Sequence, residues 1–483
     1  MDEKSWRGQW WAADDPTTRV PGILHCSEEG SLALELVGGI DITIRQPFAG
    51  GGGYAISSKS REVPIIHGIC GTEKFTLLGN TATRTNTTGL SDDAIVQQNW
   101  SSGRGLRGIH LPDLESPIFA RGHLRLERLL HWSNQSTFEM ERDGEGPRDI
   151  RARTRSIEPL KATHNGMEIS LRLLSTRFHP EHKIATNERS LTAREYAVLT
   201  FTPADPVPCM AFDELEKDLQ DLLTLSTYEP CGALNRSIVF MDDSGRPVEV
   251  SVLGPQIYRT PDLQKERDHD SLLTLADIEF DAVVPAWLSL KERARTGCNI
   301  LFGLRYIGKG YVGTRLLGVA TAAESIHSTL RAASTPLPNG QYRRLKRKLV
   351  EAIADEDESV IEFVKLGLRN HLTYNDRMIE LASIPDSAAV DSLLTDRTAW
   401  AQMLKDARND LAHANERSSL GEEISRAFWL LETTYALLCL VLLAELGVSP
   451  EIQRAAVARN SRISYASREL RKVLTGDGSG ERP

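Results

Sequence analysis

Along the first 284 residues the apolar positions come in short runs, such as 32-LALELVG-38, 40-IDITIR-45, 75-FTLLG-79 and 197-AVLTFTP-203. Runs of this length between glycine-rich breaks predict strands joined by turns. The plainest break is 50-GGGG-53, which neither a helix nor a central strand would carry. One segment of this half has a different period. In 212-FDELEKDLQDLLTLST-227, Leu215, Leu219, Leu222 and Leu223 recur at helical spacing, and Asp213 stands where a helix begins.

From Pro285 onward the spacing becomes helical. Ala294, Cys298 and Leu301 line one face, and 314-TRLLGVATAAESIHSTLRA-332, 341-QYRRLKRKLVEAIA-354, 398-TAWAQMLKDARNDLAHA-414 and 420-LGEEISRAFWLLETTYALLCLVLLAEL-446 follow. Pro336, Pro338 and Pro385 separate these segments, Gly447 sits where a C-cap belongs, and Pro450 lies just beyond. The expected fold class is therefore α+β and multidomain. It comprises a β-rich N-terminal domain over residues 1–284, an all-α helical bundle over 285–474 and a disordered tail over 475–483.

Composition narrows the picture without changing it. A chain of 483 residues exceeds the size at which one core keeps growing. Its 25% charged and 40% hydrophobic residues are an ordinary folded balance. A net charge of -9 argues against coating nucleic acid through the whole surface, and leaves room for a local basic face. The six cysteines (Cys26, Cys70, Cys209, Cys231, Cys298 and Cys439) show no C-x-x-C and no zinc-type spacing, which predicts a reducing, cytoplasmic setting and neither metal nor cofactor. The start MDEKSWRGQWW lacks the pattern of a signal peptide, so no sugar is expected at Asn86, Asn99, Asn134 or Asn235. The apolar run 435-YALLCLVLLA-444 is too short for a membrane span, and no membrane partner is expected.

The strongest candidate chemistry lies in 406-DARNDLAHAN-415, which carries Arg408, Asn409 and His413. Arg408 has Leu411 and Ala412, not acids, three and four residues on, so it is not made for a pair on its own helix. Asn409 and His413 share a helical face, whereas Arg408 and His413 lie roughly 140° apart. Either the guanidinium bends round that arc, or two copies of the motif meet across a two-fold axis. An imidazole can take the proton from a ribose 2′-OH or give one to a departing 5′-oxygen. Arg408 can hold the phosphate between them, and Asn409 can orient the imidazole or bond a phosphate oxygen. That chemistry is RNA cleavage without a metal, but R-x-x-x-x-H alone occurs in many unrelated proteins.

Glu324 and His327 share a helical face, with a buried hydrogen bond and a catalytic role both open, and with Asp410 they form the accessory candidates. Arg343, Arg344, Lys346, Arg347 and Lys348 form a basic cluster suited to RNA phosphates. Arg454, Arg459, Arg462, Arg468, Arg471 and Lys472 form another, along what reads as one last helix. The stretch 308-GKGYVG-313 imitates a dinucleotide-binding turn but lacks a strand before it, so an interhelical loop is expected. His179 and His182 have no third ligand nearby, and Pro180 suggests a surface turn.

The motif 407-ARNDLAHAN-415, in a helical C-terminal domain, resembles the R-N-x-x-x-H signature of HEPN ribonucleases, specifically the Apea-like HEPN domain. The flanking 323-AESIHS-328, 341-QYRRLKRKL-349 and 436-ALLCLVLLAELGVS-449 are similar to other segments of that domain. The first half is similar to the ApeA N-terminal domain in 8-GQWWAADDPTTRVPGIL-24, 65-IIHGICGTEKFTLL-78 and 213-DELEKDLQDLLTLSTYEPC-231. The resemblance implies an abortive-infection defence protein, in which a HEPN endoribonuclease is joined to a domain sensing a phage-derived trigger. Arg408, Asn409 and His413 carry over as its site. The expected substrate is tRNA or another structured cellular RNA, the expected assembly a homodimer through the HEPN domain. The alternative is a HEPN scaffold that holds a nucleotide or partner without cleaving.

Overall fold

The computed structural model describes the chain except residues 1–3, 41–42, 48–53, 59–62, 89–94, 143–149, 184–186, 261–269, 309, 333, 414–419 and 476–483. The glycine run 50–53 and most of the 475–483 tail thus lie outside the described residues. Two compact units emerge. The first contains Met1–Thr224, Pro230–Lys265 and Glu279–Pro285; the second contains Leu225–Glu229, Glu266–Ile278 and Ala286–Pro483.

The first unit is built on antiparallel strands. Strands β1 (Lys4–Ala12), β2 (Val20–Cys26) and β3 (Leu32–Val37) precede the ribbon of β4 (Thr43–Pro47) and β5 (Tyr54–Ser58), and β6 (Ile65–Cys70), β7 (Glu73–Thr88) and β8 (Ile95–Arg107) follow. Pairing in the order β8-β3-β2-β1-β6-β7, with β7 returning to β8, closes six strands into a barrel. Alternation along each strand sends one set of side chains inward: β3 reads buried at Leu32, Leu34 and Leu36 and exposed between. Trp10, Leu24, Leu34, Ile66, Phe75, Leu77 and Trp100 fill the interior. Gly68 makes room for this packing, because a Cβ there would lie 2.2 Å from the Trp10 ring.

The sheet does not end at the barrel. β8 also pairs with β18 (Pro247–Leu253), and the order continues through β17 (Ala233–Met241), β9 (Phe119–Leu126), β16 (Glu195–Pro203), β13 (Met167–Ser175) and β12 (Leu160–His164). One face of this extension is apolar, with Leu124, Leu171, Leu199 and Phe201 all buried. Phe212, just before helix α2 (Asp213–Thr227), stacks on Phe201 from that side. The short helix α1 (Leu129–Ser133) and the ribbons β10 (Phe138–Arg142) with β11 (Ile150–Thr154), and β14 (His179–Lys183) with β15 (Glu188–Thr192), complete the unit. His179 and His182 are therefore exposed strand residues, not members of a turn around Pro180.

The second unit is helical: α3 (Phe280–Arg293), α4 (Arg295–Tyr306), α5 (Val312–Leu330), α6 (Asn339–Glu351), α7 (Glu358–Gly367), α8 (Tyr374–Leu381), α9 (Ser387–Leu394), α10 (Arg397–His413), α11 (Leu420–Glu445), α12 (Pro450–Arg459) and α13 (Ser461–Thr475). The division between units falls within α3, just after Pro285, which lies inside that helix instead of opening it. α11 is long and apolar enough to cross a membrane by length and composition, yet every residue from Ala436 to Leu443 is fully buried. An all-apolar helix is at home in a core. Here α5, α9, α10, α12 and α13 surround it.

Pieces from earlier in the chain belong to this core. Leu272 and Leu273 are fully buried, and both donate backbone hydrogen bonds to the Ser226 carbonyl. Tyr228, in the left-handed region at φ 60°, packs edge-on against Tyr435. The Arg305 guanidinium lies 3.9 Å from the Tyr435 ring centre and donates to Glu432 at 3.1 Å. Burial raises both phenols, and pushes the neighbouring Cys439 thiol up to about 12. That set is a neutral-thiol, paired-charge core and not a reactive site.

Candidate active site

Three helices of the second unit meet around Arg408. α10 supplies Arg408, one half-buried turn below its end, and α5 supplies Glu324 and His327. α8 adds Tyr374, Arg377 and Glu380 at positions i, i+3 and i+6, which one helical face presents together. α8 starts at a capping box, in which the Thr373 hydroxyl accepts from the Asp376 N–H and the Asp376 carboxylate reaches back. α5 approaches α10 closely through Gly313, where a Cβ would lie 2.9 Å from Leu411 Cδ2. The last glycine of 308-GKGYVG-313 is thus a packing residue at the start of α5, and Gly308, Gly310 and Tyr311 lie between α4 and α5, as expected of an interhelical segment.

The partner missing from Arg408's own helix comes from α5. Arg408 donates to Glu324 Oε2 at 3.2 Å, while Arg377 donates to Oε1 of the same carboxylate at 3.2 Å. One carboxylate therefore spaces two guanidiniums. The Arg408 guanidinium also lies over the Tyr374 ring at 5.0 Å, and the Tyr374 hydroxyl donates to the Ala320 carbonyl at 3.3 Å. Burial raises the Tyr374 phenol, Arg408 opposes that shift and Glu324 adds to it, so the ring stays a neutral platform for the cation. About a third of the Arg408 and Glu324 side chains remains open to solvent. The array is accessible to a ligand.

His327 is turned to a different task. Its Nε2 meets Glu380 Oε2 at 2.8 Å, and Ser334 donates to Oε1 at 2.6 Å. Burial would raise the Glu380 carboxyl, but the hydrogen bonds from Ser334 and His327 outweigh it and hold the group below its ordinary value. His327 is 3% exposed, so this pair ties α5 to α8. Of the accessory candidates, Glu324 is brought to Arg408, His327 to Glu380, and Asp410 is exposed. Asn409 is half-buried beside Arg408. His413 is the last residue of α10, and its side chain lies outside the described residues.

The basic clusters separate. Arg343, Arg344, Arg347 and Lys348 are exposed along α6, whereas the Lys346 ammonium donates to the Lys365 and Leu368 carbonyls at the end of α7. The later cluster is not one helix, because Asn460, with ψ 112°, divides α12 from α13. Its cations are engaged within the unit: Arg459 bonds the Ser271 and Leu272 carbonyls, Arg462 pairs with Glu229 and Lys472 with Glu469. That cluster is a structural fastening.

Comparison with known proteins meets this geometry at both units. The family model for ApeA N-terminal domain 1 matches residues 5–287, more than half of the chain. The chain belongs to the ApeA family. A second family model, Apea-like HEPN, matches residues 317–452, which include most of α5, all of α8 and α10, and every residue of the Arg408 array. The β-rich ApeA region followed by a helical HEPN region is the expected fold class. No curated protein and no solved structure matches the chain. Tyr374, Arg377 and Glu380 lie inside the HEPN match, and no sequence period marks them because α8 is too short to show one.

Proposed function

We propose that the HEPN domain is a metal-independent endoribonuclease of anti-phage abortive infection, acting on tRNA or another structured cellular RNA. The observation that carries this reading is the Arg408–Glu324–Arg377 array, which sets a second solvent-reaching guanidinium beside the arginine of the R-N-x-x-x-H motif. Arg408 binds a non-bridging phosphate oxygen and offsets the charge that grows there in the transition state. His413 handles the proton as the 2′-oxygen bonds to phosphorus and the 5′-oxygen leaves, giving a 2′,3′-cyclic phosphate and a 5′-OH. Glu324 positions Arg408, and the exposed Arg343, Arg344, Arg347 and Lys348 draw in the RNA backbone, with Lys346 bracing their helix against the end of α7.

In this reading the protein works in the cytoplasm as a homodimer through its HEPN domains, and the N-terminal unit restrains cleavage until it meets a phage-derived trigger. A positioned acid or base is worth about 10²- to 10⁴-fold, so His413→Ala and Arg408→Ala should each abolish RNA cleavage and protection of infected cells. Cleavage should persist in EDTA, and light scattering should return twice the chain mass. A 5′-phosphate product would rule out attack by the 2′-OH. The second reading, a scaffold that binds without cleaving, draws on the ion pair that already occupies Arg408; a folded Arg408→Ala variant that still protects cells would favour it.

A further inference from the structure

The face of the extended sheet opposite Phe212 carries a cavity of about 300 Å³ that the proposed nuclease does not use. Strand register assembles it. Thr200 and Ser237 both stand across from His123, Asn235 stands across from Arg125, and Arg172 and Tyr196 come from the adjoining β13–β16 pair. Its walls are thus five neighbouring strands, backed by the buried apolar face of the same sheet. The volume matches a small polar metabolite.

The charges in it are unbalanced. Elsewhere on this sheet cations have acids: Lys161 pairs with Glu168, and Arg236 with Glu216. Among the described residues Arg125 and Arg172 form no ion pair. The Arg125 guanidinium lies 4.6 Å above the Tyr196 ring, and its buried Nε–H has no acceptor. A cation held this way is poorly solvated and gains more from an incoming anion than a freely hydrated one does. Across the cavity Glu249 accepts from Ser237 at 2.5 Å, and His123 contacts the Thr200 hydroxyl at 3.1 Å. Oxyanion donors stand on one side and a carboxylate acceptor on the other.

We propose that this cavity binds a sugar phosphate, with Arg125 and Arg172 on the phosphate and Glu249 and Asn235 on the sugar hydroxyls. An isolated anion would use only the arginines, and a neutral sugar only the far side. A ligand bearing both groups uses the whole cavity. A mononucleotide shares this chemistry, its base then lying outside.

Isothermal titration of the full chain at low ionic strength tests the assignment with ribose 5-phosphate, ribose, inorganic phosphate and adenosine 5′-monophosphate. Ribose 5-phosphate should bind more tightly than phosphate, and ribose should give no heat. Equal affinity for the mononucleotide assigns the free sugar phosphate as the ligand class; tighter binding assigns the nucleotide. Arg172 is exposed on its strand, so Arg172→Ala should stay folded and weaken binding about tenfold or more. Glu249→Gln should erase the preference for the ester over phosphate. Absence of heat with ribose 5-phosphate, binding indifferent to Arg172→Ala, or binding lost in Arg408→Ala would each overturn the proposal.

Discussion

Arg408 and Glu324 are 84 residues apart, so the pair that organises the site leaves no trace in local spacing. What was legible was the motif itself and the lack of an acid where a helical partner would stand. Thr373 and Asp376 form a capping-box signature that marks the start of α8, and it was the signal available for finding Arg377 and Glu380. The two α5 residues should part company on substitution. Glu324→Gln acts on a partly solvated pair, and should cost no more than about 1 kcal/mol of stability while cutting RNA cleavage tenfold or more. His327→Ala opens a buried contact and should cost about 1–3 kcal/mol, while the folded fraction keeps its cleavage rate. Urea unfolding beside a cleavage assay separates these outcomes. Another buried acid gives the first unit a pH signature. Burial raises Glu216 from 4.5 to about 7, with Arg236 pulling it down and Asp213 adding to the rise. A carboxyl raised on folding stabilises fully below 4.5, and that contribution is lost as pH climbs from 4.5 to 7. The urea midpoint should therefore fall over that window, and Glu216→Gln should flatten the decline.

At the scale of elements, periodicity found α2, α5, α10 and α11 because each is long enough to repeat its apolar stripe. It missed α8 and α9, two turns each, and it fused α12 with α13 because a single residue, Asn460, breaks them. Pro285 reads as a helix boundary in sequence, yet α3 continues through it. The α4–α5 contact rests on a glycine whose role is invisible in sequence. A Cβ on Gly297 would lie 2.6 Å from Ile326 Cγ1 and 3.1 Å from its backbone nitrogen. Alanine normally gains up to about 1 kcal/mol over glycine inside a helix. Here the clash should win, and Gly297→Ala should lower stability by about 1–3 kcal/mol, read from the thermal midpoint. A rise in the midpoint would show that the two helices can move apart freely.

For the whole molecule, alternation and helical period were enough to tell a β-rich half from a helical one, but not to pair the strands. Closure of the barrel depends on β7 meeting both β6 and β8, a long-range choice that no local pattern encodes. Nor did the pattern disclose that the second unit is discontinuous in sequence. Tyr228, Leu272 and Leu273 are core residues of a helical body whose continuous stretch starts at Ala286. Loss of each large buried side chain costs about 2–5 kcal/mol, against a total stability of about 5–15 kcal/mol. A fragment of residues 286–483 should therefore bind a hydrophobic dye and melt without cooperativity, whereas one also supplied with the unit's own earlier pieces, residues 225–229 and 266–278, should regain a sharp transition. The chain is thus not two cassettes in series. Swapping first halves between relatives at residue 285 would also exchange part of the helical unit's core, so a chimera could lose activity through a mismatched Tyr228 while every residue of its nuclease motif stayed intact.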